Sequence, residues 1–179
     1  MKSFGMLALA ALTAGVYAEE RIVTVCLNPG GNTALLNPGR DAAIRVLNQA
    51  GIRVHWHRDE RPCRDAANAI VVKVAENTPA HHHPGALAYA MPFEGTRIVL
   101  LSDRIVRAAT REITPRLLGH VLAHEIVHLL QGLQHHSSDG VMKARWTGRD
   151  YSDMMMARLM LSKEDIELMH LGMDRRAQN

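Results

Sequence analysis

The chain has 179 residues, a formal charge of +3 with histidine neutral, and a pI of about 9.1. That length suits one domain with a real hydrophobic core. Aromatic residues make up only 4% of the chain, and Lys and Arg are spread out rather than clustered with them, which argues against a nucleic-acid partner and for a solvated basic surface.

Residues 1–18 read as a secretory signal. Lys2 is the basic start, Phe4 to about Leu12 is the apolar run, and Val16-Tyr17-Ala18 is the small-residue cleavage site. The apolar run is too short to span a bilayer. The expectation is therefore a secreted or periplasmic chain without stable membrane insertion, beginning at Glu19 and forming one domain over residues 19–179. Its two cysteines, Cys26 and Cys63, invite a disulfide in an exported protein. A thiolate that ligates a metal in a latent form is the alternative.

Arg21 to Leu27, RIVTVCL, is rich in β-branched residues and predicts a strand, broken by Asn28-Pro29-Gly30-Gly31-Asn32. Pro38 to Ala50 carries Ala42, Ala43, Val46, Leu47 and Ala50 at helical spacing, with Gly51 as a stop. Ile52 to His57 alternates and predicts a second strand. His55 and His57 fall on one face of it, which reads as solvated rather than as a metal site. Arg58 to Asp65 is a charged loop, and Ala69 to Val74, AIVVKV, is a short apolar run that suits a central strand. His81-His82-His83 lies in a loop, and consecutive residues cannot all face one ion in regular structure. Leu87 to Met91 and Arg97 to Leu101 predict a hairpin. Ser102 to Ile113 is a short helix or irregular link.

Thr114 to Gly132 predicts a long helix with Thr114 as N-cap, Pro115 at the first helical position and Gly132 as its stop. Apolar residues surround its axis, as in a buried helix. His124 and His128 lie four apart, so they share one face, about 40° apart around the axis. Two neutral imidazoles there can grip one cation, and zinc suits them. Glu125 stands between them, where a metal-dependent hydrolase keeps its general base. Beyond the helix, a helix from about Lys163 to Leu171 starts at Ser162 and Asp165 as a capping-box variant. Met154, Met155 and Met156 read as core filling, and residues 174–179 as a frayed tail.

The stretch from Thr114 to Trp146 resembles the metzincin clan of zinc metallopeptidases, whose pattern is H-E-x-x-H-x-x-G-x-x-H followed by a Met-turn. His124, Glu125 and His128 match the first two ligands and the base, and Met142 matches the Met-turn. The chain departs at one point: Gln131 stands where the clan has Gly, and the Gly follows as Gly132. Counting from Gly132 selects His135 as third ligand. The run His136-Ser137-Ser138-Asp139-Gly140-Val141-Met142 is similar to small secreted bacterial metzincin-like proteins with a longer connection, and selects His136. His136 is the expected ligand and His135 the alternative.

The resemblance implies an α+β fold: a mixed twisted sheet with a buried active-site helix, the Met-turn and a C-terminal helix. It implies one catalytic Zn²⁺ held by His124, His128 and His136, with Glu125 as catalytic base, in a secreted endopeptidase acting on peptides or proteins. The strand from Leu87 would be the edge on which an extended substrate is laid. Lys143 to Met156 would shape the specificity pocket, and Tyr151 is only a loose match to a tyrosine that steadies the oxyanion in some members. A monomer is expected. A non-catalytic zinc-bearing binding or inhibitory module of the same fold is the competing reading, and the intact Glu125 argues against it.

Overall fold

A computed structural model describes residues 21–27, 33–64, 66, 69–79, 83–91 and 96–178. The expected signal segment, His81, His82 and the turn at residues 93–95 lie outside these residues.

The elements run β1 (Arg21–Leu27), α1 (Thr33–Gln49), β2 (Ile52–His57), α2 (Arg61–Arg64), β3 (Ile70–Ala75), β4 (Ala88–Ala90), β5 (Arg97–Leu101), α3 (Ser102–Ala108), α4 (Thr114–Gln131), α5 (Gly148–Met155) and α6 (Lys163–Ala177). The five strands form one mixed sheet in the order β2-β1-β3-β5-β4. β1 pairs in parallel with β2 and β3, and β3 with β5. β4 alone runs antiparallel, paired with β5 at the edge. This is the expected mixed α+β sheet, with the Ile70 strand at its centre.

Strand alternation sorts the two faces. Val23, Val25 and Leu27 of β1, Ile70 and Val72 of β3, and Ile98 and Leu100 of β5 are buried in the main core with α1 and α4. Cys26 points the other way, into a small cluster with Cys63 and Ala69, and the two cysteines form a disulfide.

Helix α4 is the element the core closes around. Every residue from Leu117 to Gln131 is buried, as its all-round apolar pattern predicts. α1 crosses it where two glycines meet: a Cβ on Gly119 would lie 2.4 Å from the Gly39 carbonyl oxygen. α6 packs across its end, where a Cβ on Gly172 would lie 2.1 Å from the Leu130 carbonyl oxygen. The stop at Gly132 is as expected, with a left-handed φ of 66° and its N–H on the His128 carbonyl.

Several boundaries differ from the sequence expectation. α1 starts at Thr33, with Pro38 inside it. Pro38 removes only the donor to Ala34, which is exposed and open to water, while the extra turn buries Leu36. Thr114 is not the N-cap. Ile113 takes that place, and the Thr114 hydroxyl donates back to the Thr110 carbonyl at 2.8 Å. Within the charged loop, the Asp59 carboxylate takes the Arg61 amide at 2.9 Å and starts the short α2. α5 is an unexpected helix, closed by a capping box in which the Asp150 carboxylate accepts from the Thr147 amide and hydroxyl. The segment from Asp174 is helical rather than frayed. Asp174 pairs with Arg21, and Arg176 donates to the Leu129 carbonyl at 2.9 Å, satisfying one of the last carbonyls of α4.

Candidate metal centre and active site

His124, Glu125 and His128 all lie on α4 and are nearly inaccessible, at 9%, 9% and 7% exposure. Each imidazole is oriented by a backbone carbonyl. His124 Nδ1 faces the Val141 carbonyl at 2.9 Å, and His128 Nδ1 faces the Leu133 carbonyl at 3.1 Å. A carbonyl only accepts, so each Nδ1 carries the proton and donates it. In the neutral rings each Nε2 then keeps a lone pair.

Those two Nε2 atoms face one another 3.0 Å apart. Burial, opposed by the Val141 carbonyl, lowers the His124 pKa to about 4. Burial and the neighbouring His124 and His136 lower that of His128 to about 3. Near neutral pH no extra proton bridges them, so two lone pairs confront each other unless a cation lies between. Two nitrogens on a tetrahedral Zn²⁺ at 2.0–2.1 Å are about 3.3 Å apart, close to the spacing present.

The third imidazole comes from the connection beyond Gly132. The His136 ring stacks on His124 with centroids 5.3 Å apart, and meets His128 edge-on at 4.9 Å. One ligand atom from each of His124, His128 and His136 lies within 4.8 Å of the others. His135 is outside this group, and its Nε2 is buried without a hydrogen-bond partner. The residues present therefore fit a three-histidine metal centre with one open side.

What holds His136 there is the residue after it. The Ser137 amide donates to the Met142 carbonyl at 2.9 Å, and its hydroxyl to Asp165 Oδ1 at 2.5 Å. Asp165 is fully buried at the start of α6 and also accepts from Ser162. Gly140, with a left-handed φ of 72°, turns the chain into Val141 and the fully buried Met142. The local pattern identifies Asp165 only as a helix cap. Its partner Ser137 is 28 positions away, beyond any periodic signal, and the Val141 and Leu133 carbonyls have no side-chain signature at all.

Glu125 is the single acidic residue of α4. Burial pushes its carboxyl up to about 7, against a hydrogen bond from the Ala90 backbone on β4. Beside it opens a cavity of about 480 Å³ lined by His124, His136, Val121, Lys143 to Trp146 and Tyr151 on one side and by His83 to Ala88 on the other. Tyr151 thus borders the site, whereas His55 and His57 on β2 contribute nothing to it. The Trp146 ring stands edge-on to His124 at 5.8 Å.

β4 bounds the same cavity. Met91 and Leu87 bond to Arg97 and Leu101 of β5. By alternation the backbone groups of Ala88 and Ala90 face the open edge.

No protein-family model and no curated protein matches the sequence. Among solved structures, the chain is similar to archaemetzincin from Methanopyrus kandleri, with a TM-score of 0.55 and 15% identity over 89% of this chain and 98% of that one. The chain therefore has the metzincin-like fold that archaemetzincin displays.

Proposed function

We propose that this chain is an exported zinc-dependent endopeptidase. The observation that carries the reading is the pair of neutral imidazoles whose Nε2 atoms face each other at 3.0 Å on a buried helix, with His136 closing the group and Glu125 beside it. His124, His128 and His136 would hold one Zn²⁺. Bound there, the ion would supply Lewis acidity and a water of lowered pKa.

The chain's own residues account for the rest. Glu125, buried beside His124 and at the wall of the cavity, is placed to take a proton from water and return it to the leaving amine. The outward Ala88 amide and carbonyl and the Ala90 carbonyl suit an extended peptide added to the sheet edge, while the Ala90 amide is engaged by Glu125. The Cys26–Cys63 disulfide supports an oxidising compartment, secreted or periplasmic. Among the described residues no helix is long and apolar enough to cross a membrane. A monomer acting on peptides or proteins completes the reading.

The test joins metal content to turnover. The purified protein should carry one zinc and cleave casein or a peptide library in a chelator-sensitive way. Glu125→Gln should keep the zinc and lose at least 10³-fold in kcat, the upper part of the range for general acid–base catalysis. His136→Ala should lose the zinc, and His135→Ala should keep it. A Glu125→Gln protein as active as the parent would remove Glu125 as the base. A zinc-loaded parent that hydrolyses nothing would leave the binding-module reading instead.

A further inference from the structure

The segment after Met142 carries five charged residues, Lys143, Arg145, Arg149, Asp150 and Asp153. The fold keeps both of these acids out of the cavity beside Glu125. Lys143 and Arg145 line that cavity, whereas Arg149, Asp150 and Asp153 border a separate depression with Met160 and Ser162, which Lys143 also reaches. Asp150 holds the Lys143 ammonium at 2.6 Å while it caps α5 through Thr147. Arg145 is exposed at the cavity and has no hydrogen bond or ion pair among the described residues. The only carboxylate among the described lining residues is Glu125, which the function proposed above already employs.

The cavity's position gives this sorting a consequence. Val121, one turn before Glu125 on α4, lines it, as do Leu87 and Ala88 next to the open edge of β4. A peptide extended along that edge would send a side chain, or its own end, into this space beside the bond being cut. There it meets a guanidinium without a partner among the described residues, whose planar donors match a carboxylate in a bidentate manner.

We propose that this cavity receives a carboxylate of the substrate and that Arg145 is the specificity-determining residue. The chain would thus act on acidic peptides, through an Asp or Glu side chain or a C-terminal carboxylate next to the scissile bond. This rests on the peptidase reading above. Arg145 is exposed, so the pair is screened by water, and the preference is expected to be about fivefold rather than absolute.

Binding separates this proposal from turnover. The zinc-loaded Glu125→Gln protein would be titrated with labelled peptides, N-acetylated and C-amidated, that differ at one central residue: Asp, Asn or Lys. A second pair, with Asn at the centre, would carry a free or an amidated C-terminus. The expected order is Asp about fivefold tighter than Asn, with Lys weakest, or the free C-terminus tighter than the amide by a similar factor. The two sets tell which carboxylate is read. Adding Arg145→Glu should abolish or invert the order while zinc content and Tm stay unchanged. Equal binding of Asp and Asn together with equal binding of both termini overturns the proposal, as does a preference that survives Arg145→Glu. A parent that hydrolyses nothing while the preference holds overturns the peptidase reading alone.

Discussion

Glu125 carries a physical cost that can be measured without any substrate. In the unfolded chain its carboxyl ionises near 4.5, and in the fold only near 7, because burial penalises the charged form. A raised carboxyl pKa means that the folded state prefers the proton. The group costs nothing below pH 4.5, and destabilises progressively as pH rises from 4.5 through 7. At pH 8 this amounts to about 3 kcal/mol in the metal-free protein. His124 and His128 act in the opposite sense. Their lowered pKa values make acidification below 6.5 destabilising, but equally so in parent and variant. In EDTA, Glu125→Gln should therefore melt several degrees above the parent at pH 8, and the gap should close by pH 4.5. Zinc should narrow the gap at pH 8, because a nearby cation favours the carboxylate. Equal Tm values for parent and variant across the range would show that Glu125 is solvated rather than buried.

The interplay of elements decides whether the third imidazole arrives. α4 delivers two histidines by helical geometry alone, and this was legible in the spacing of His124 and His128 and in the apolar ring around them. His136 is not on a helix, and its place depends on Ser137 being tied to Asp165 on α6. Asp165 also closes the α6 capping box with Ser162, so two variants separate its roles. Ser162→Ala removes the cap and should cost about 1 kcal/mol of stability, with zinc affinity unchanged. Asp165→Ala removes the cap and the Ser137 tie together, and should also weaken zinc roughly tenfold, as loss of an outer-layer partner does. Chelator competition reads the affinity, and equal weakening in both variants would refute the tie. Local chemistry missed α5 although Thr147-x-x-Asp150 is a capping pattern and Tyr151, Met154 and Met155 lie at helical spacing, since the helix is only eight residues long and three apolar side chains are too short a run to stand out. It missed the length of α6 because Arg176 and Asp174 find their partners on α4 and β1, far away in sequence.

Across the whole molecule, the sheet's parallel order came from contacts between distant strands, which alternation alone cannot specify. What alternation did specify is that Cys26 leaves β1 on the side away from Val25 and Leu27. The disulfide to Cys63 therefore staples the sheet face opposite α4, closing a loop of 37 residues. On the chain-entropy model such a closure stabilises the fold by about 4 kcal/mol, or roughly 10 °C in Tm for a domain of this size. The metal centre lies across the sheet from it, so stability and chemistry should separate. The Cys26→Ser/Cys63→Ser protein should melt about 10 °C lower and bind zinc with the parent's affinity at a temperature where circular dichroism shows both folded. The peptidase activity proposed for the chain should, at that temperature, be the same in the double variant and the parent. Loss of zinc from the folded double variant would mean that the staple reaches the site through the sheet, and that the two faces are coupled rather than independent.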